Sequence, residues 1–283
     1  MHPLRRSDAS SMPRRSRVRG FTLIEAVMVI TITGVVIGMV AIFIAPATTA
    51  YFDTSTRARL GDEADTALRR ISRDLSGALP NSVRITGMSI ELIPVSGAAR
   101  YAVGTEAGDP LAFGATDTSF AIVGPALRLA SGNQRLAWYN LGAGVPDADA
   151  YSQANVRVAG NAAGNATTIT IAGAALPNSL QAPPYRVYAI EQPVTYRCNT
   201  AAGTLTRHAG YGFVTTQAAL PSGGTAAVLA RHVVGCSFDY SAGASVGYGI
   251  VTLRLQLGSG AGDAGASNET VTLYQTVHVD NLP

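Results

Sequence analysis

Hydrophobic and polar positions along this 283-residue chain fall into three regimes. The first runs from Phe21 to Ala45, 25 residues that are apolar or small with a single charged exception, Glu25. As a helix, that run is long enough to cross the hydrocarbon core of a bilayer. Polar residues return from Tyr51 to Gly77, yet Leu60, Ala64, Leu68, Ile71 and Leu75 recur at spacings of 4, 4, 3 and 4. That is the apolar stripe of an amphipathic helix, with Gly77 and Pro80 as its stop. Together the two runs predict one helix over residues 21–79, kinked or locally broken at Pro46. From Val83 onward the period drops to two, the signature of strands.

Within the third regime, "LRLASGNQRLAWYNL" predicts a hairpin that pairs Leu127 and Leu129 with Leu136 and Trp138 across Ser-Gly-Asn. Further strands are expected at 186–190, 194–198 and 204–208. Near the end Val251, Leu253, Leu255 and Leu257 alternate, and so do Val271, Leu273, Val277 and Val279 with a slip between. These predict two long final strands joined by the glycine-rich stretch 258–265. Residues 142–184 are rich in Gly, Ala, Asn and Pro, which predicts loops with one short strand at 167–172.

Charge changes the picture at one end only. Six of the 21 arginines lie in the first twenty residues (Arg5, Arg6, Arg14, Arg15, Arg17 and Arg19), against one acid, Asp8. The remainder holds 15 basic and 17 acidic residues, so the basic isoelectric point belongs to the leader. Without a basic excess the rest of the chain has no bulk means of holding nucleic acid by counterion release, and none is expected as a partner. The basic flank places residues 1–20 in the cytoplasm and everything after the apolar run outside. Cys198 and Cys236 lack CxxC spacing and have no histidine cluster nearby. In an exported chain they predict one structural disulfide. Closing a loop of that length is worth about 3–4 kcal/mol in the chain-entropy account.

Ala45-Pro46-Ala47 loosely offers an A-x-A signal-peptidase site, but the apolar run before it is too long for an ordinary cleavable signal peptide. A plain anchor explains the length and leaves Glu25 unexplained, because intramembrane carboxylates are rare and usually paired. A third reading accounts for both. Gly20-Phe21-Thr22-Leu23-Ile24-Glu25, after a short basic leader, resembles the class III signal of type IV prepilins and type II secretion pseudopilins. The resemblance implies that prepilin peptidase cuts between Gly20 and Phe21 and methylates the new amine of Phe21. Glu25 then lies at the fifth mature position, where in that family the acid sets register by neutralising a neighbouring subunit's N-terminus. Gly34 and Gly38 form a small-xxx-small pattern that allows close approach of membrane helices.

The fold implied is α+β and pilin-like: a long N-terminal helix, its first half membrane-spanning, packed on a mainly antiparallel β-sheet domain. The expected divisions are a cleaved leader at 1–20, a transmembrane and assembly helix at 21–46, its amphipathic continuation at 47–79, and a β-rich periplasmic or extracellular domain at 80–283. The implied partners are prepilin peptidase, other pilin and minor pilin subunits, and an inner-membrane assembly platform. A structural subunit of this kind needs no catalytic residue, cofactor or metal. The segment "YRVYAIEQPVTYRCNTAAGTLTRHAGYGF" and the ending "ETVTLYQTVHVDNLP" are similar to MshO-type minor pilins of the mannose-sensitive haemagglutinin (MSHA) pilus. A type II secretion pseudopilin, and a single-pass surface adhesin without assembly role, are the rival readings.

Other motifs are weaker. Gly243-Ala-Ser245-Val-Gly247 matches the G-x-S-x-G nucleophile elbow, with Asp263 and His278 following, but strand patterns flank it on both sides where the elbow needs a helix after it. Gly260-Ala-Gly262-Asp-Ala-Gly265 matches G-x-G-x-x-G, yet strand rather than helix follows. Asp147 and Asp149 could ligate calcium but lack EF-hand spacing, and are expected to be solvated loop acids. Asn165 and Asn268 begin chance glycosylation sequons. His208, His232 and His278 are expected as surface side chains on strands.

Overall fold

The computed structural model describes residues 20–104, 108–242, 247–259 and 269–283. The chain divides into two compact units, with the boundary between Tyr51 and Phe52. Helix α1 (Leu23–Ser76) belongs to both and is continuous through Pro46. The expected break therefore does not occur. A proline removes one ladder bond and crowds the carbonyl four residues back, yet the helix runs on through this turn without a break. In the first unit, Leu23–Ile44 is the stretch long and apolar enough to cross a membrane.

In the second unit the predicted stripe is buried. Leu60, Ala64, Leu68, Ile71 and Leu75 are each at most 3% exposed, and Ala67 joins them. They pack on two sheets. The first contains β1 (Arg84–Thr86) and β2 (Ser89–Leu92). The chain then leaves for β3 (Val95–Tyr101), β4 (Ser119–Val123), β5 (Leu127–Leu129), β6 (Arg135–Trp138), β7 (Val156–Ala159), β8 (Gly164–Ala166), β9 (Thr168–Ala172) and β10 (Arg186–Ile190). It returns as β11 (Val194–Asn199), β12 (Thr204–Ala209) and β13 (Thr225–Arg231), giving the order β1-β2-β11-β12-β13. The last three strands, β14 (Val233–Ala242), β15 (Tyr248–Gly258) and β16 (Thr270–Asp280), form the second sheet. Every ladder among the described residues is antiparallel. The fold is thus α+β, with a long N-terminal helix and a mainly antiparallel β domain.

Three local expectations change. The hairpin across Ser-Gly-Asn does not form: Leu127 pairs with Ala166 on β8, while Leu136 pairs with Ala189 on β10 and Arg157 on β7. β5 and β6 each satisfy their backbone with strands that come later in the chain. The presumed loop region 142–184 holds three strands: β7 and β9 close a six-stranded barrel in the order β10-β3-β4-β9-β7-β6, and β8 pairs with β5 in a separate ribbon. Finally, β16 has no slip. Its register against β15 is continuous, with Gln275 opposite Leu253 at an inward position between Leu273 and Val277.

Candidate functional site at the start of the helix

Gly20 and Phe21 precede the helix, are exposed, and lie outside regular structure, with Phe21 71% exposed. Thr22 caps α1. Its Oγ1 accepts the backbone N–H of Glu25 at 3.3 Å, and its carbonyl accepts the N–H groups of Glu25 and Ala26, each at 3.1 Å. Thr22-Leu-Ile-Glu25 is therefore a T-x-x-E helix start, with the acid in the first turn where the helix dipole favours negative charge. The Glu25 carboxylate is exposed and has no hydrogen-bond or ion-pair partner among the described residues. The peptide bond a processing enzyme would cut is open, and the acid is held on a capped first turn four residues beyond the amine that cutting would create. At Gly34 and Gly38 an added Cβ would meet nothing within 4 Å, so no contact among the described residues demands glycine there.

The other residues singled out in the sequence take structural places. Cys198 on β11 and Cys236 on β14 form a disulfide, Cα atoms 6.6 Å apart, that ties the two sheets together. Ser245 and most of its G-x-S-x-G motif lie outside the described residues, as does the G-x-G-x-x-G run; the strands flanking them, β14 with β15 and β15 with β16, pair directly. Asp149 is not a solvated acid. It is 5% exposed, and its two oxygens accept the N–H groups of Gly144 (2.9 Å) and Tyr151 (2.8 Å), closing a turn. His278 is exposed and meets Tyr248 edge to face.

His208 is not a surface side chain either, being 8% exposed, with Nε2 3.0 Å from Thr206 Oγ1. Burial, and then the charge of Arg197, hold its imidazole below the ordinary value of 6.5. Between the folded value and 6.5 the unfolded chain binds more protons, so stability falls as pH drops through that window. Thermal unfolding compared at about pH 7.5 and about pH 5 is expected to show this loss, and His208→Gln to reduce it.

One polar cluster had no signal in the sequence. Arg84 on β1 donates to the Glu91 carboxylate on β2, and Glu91 is 1% exposed. The second Glu91 oxygen accepts the Tyr211 hydroxyl at 2.6 Å, and Arg84 Nη1 and Nη2 donate to the carbonyls of Thr215 (2.7 Å) and Val214 (2.8 Å). The guanidinium stands 3.5 Å over the Tyr151 ring, whose hydroxyl donates to the Ser82 carbonyl. Every group is satisfied, which marks a brace for the 210–219 segment rather than a reactive centre. A comparable brace joins helix to sheet: Asp74 accepts from Tyr196 (2.5 Å) and Arg207 (3.2 Å).

With this geometry in view, residues 15–41 match the prokaryotic N-terminal methylation motif. The motif supports a type IV pilin-like or pseudopilin subunit, structural in role, anchored by a single membrane pass, processed by prepilin peptidase and assembled with other pilins. None of the curated proteins or solved structures compared with the chain shows significant similarity to it.

Proposed function

We propose that the chain is a minor pilin of the MSHA type, released from its leader between Gly20 and Phe21, methylated at Phe21, and built into or priming a type IV pilus. The observation that carries this is the methylation motif over residues 15–41. The exposed, non-helical Gly20–Phe21 bond and the unpartnered Glu25 are what such processing and assembly need. The subfamily rests on the resemblance of the segment 185–213 and of the ending 269–283 to MshO-type sequences. Before assembly the protein spans the inner membrane with its β domain in the periplasm.

Intact-mass analysis of the protein from membranes is expected to give a chain beginning at methylated Phe21. An uncut chain, or one beginning near Ala47, defeats the proposal. Recovery with sheared pili favours the pilus; co-purification with a secretin complex instead transfers the protein to a type II secretion pseudopilus.

A further inference from the structure

The path of the chain between β2 and β11 is an excursion. Leu92 and Val194 are direct partners in the first sheet, so the chain leaves and rejoins at one point. Just beyond, Val95 is paired with Ile190. Everything between builds the closed barrel and the β5–β8 ribbon, around a core drawn only from residues 99–189, among them Tyr101, Phe120, Trp138 and Ile169. The core under helix α1 takes its fully buried members only from residues 60–92 and 194–279. The two cores share no residue. They meet where Leu79 and Ile93 pack on Tyr151, Val156 and Tyr188, where the Tyr151 ring lies under Arg84 and its hydroxyl donates to the Ser82 carbonyl, and where Asn140 Nδ2 donates to the Pro80 carbonyl at 2.7 Å.

We propose that the barrel is a grafted module: the scaffold of helix and two sheets folds, closes its disulfide and assembles without it, and the barrel serves a function other than assembly. Because Val95 and Ile190 are direct partners, two residues of turn would suffice to join them. The scaffold's topology therefore does not require the insertion. A closed barrel also has no free strand edge with which to extend a neighbour's sheet. Among the described residues both scaffold sheets end in open strands, β1 and β13 in one and β14 and β16 in the other, and the insertion leaves open only the three-residue β5 and β8 of its ribbon. The assembly half of this inference rests on the pilin reading above; the folding half does not.

The test replaces residues 96–189 by Asn-Gly in the full-length precursor, beside intact chains carrying wild-type sequence or Trp138→Ala. The excised protein is expected to show no free thiol, exchange protection along β11, β12, β14 and β15, and incorporation into sheared fibres comparable to wild type. It should melt at a lower temperature, because Leu79 and Ile93 lose their cover. Trp138→Ala should lose protection within 95–190 while the scaffold keeps its own. Reduced cysteines or an unprotected scaffold after excision, or global loss of protection in Trp138→Ala, overturns the folding half. A folded excision variant missing from fibres that contain wild type overturns the assembly half. If wild type is itself absent from fibres, the pilin reading fails, while thiol and exchange data still decide whether the barrel is a graft.

Discussion

Arg84→Met is expected to lower the unfolding free energy by about 3–5 kcal/mol, the usual cost of removing one partner from a buried ion pair. The substitution keeps most of the side-chain volume and removes the charge. Glu91 would remain 1% exposed with the Tyr211 hydroxyl as its one side-chain partner, and a carboxylate so placed is costly unless paired. The carbonyls of Val214 and Thr215 would lose their donors together, freeing the segment that Arg84 pins to the sheet. Denaturant unfolding, followed by hydrogen exchange along β2 and β11, which carry and flank Glu91, reads the loss. The double variant Arg84→Met, Glu91→Leu should recover most of it, because replacing both members of a buried pair with apolar groups is often close to neutral. A loss below about 1 kcal/mol in the single variant would mean that the pair is solvated.

Glu25→Ala is expected to leave cleavage after Gly20 intact while reducing incorporation into fibres by at least about tenfold, equivalent to about 1.4 kcal/mol. The cap on α1 comes from the Thr22 hydroxyl and carbonyl, which bond the backbone at position 25 whatever its side chain, so the helix start survives the change. What disappears is the only charge in the apolar run, and with it the carboxylate that a neighbouring subunit's N-terminal amine would meet in hydrocarbon. Mass analysis of the membrane form and immunoblots of the sheared fraction separate the two effects. Glu25→Asp, which retains the charge, should retain part of the incorporation; wild-type piliation in Glu25→Ala would remove the pairing role.

Legibility differed sharply between the two halves of the molecule. The stripe from Leu60 to Leu75 is read directly from spacing, since a helix face is set by residues three and four apart. The strands 186–190, 194–199 and 204–209 likewise show in local alternation. Gln275 imitates a register slip, because a polar residue at an inward position looks the same in sequence as a shift of face. The residues of β5 and β6 carried a credible hairpin signal and were claimed by β8 and β10 instead, a choice between near and distant partners that alternation cannot make. Asp149 and His208 looked like surface residues because their burial depends on what folds over them.

By itself the sequence determined the membrane-length apolar helix, the placement of Gly20, Phe21 and Glu25 at its start, and the α+β class. Those features rest on contacts within a few residues or on composition, which are written locally. Only the tertiary structure decided that residues between β2 and β11 close into a barrel, that Cys198 and Cys236 bridge two different sheets, and that Arg84 and Glu91 share a buried brace with Tyr211. Each of these joins segments far apart in the chain. Which distant strands and charges meet is settled by how the whole core packs and by which backbone groups remain to be satisfied.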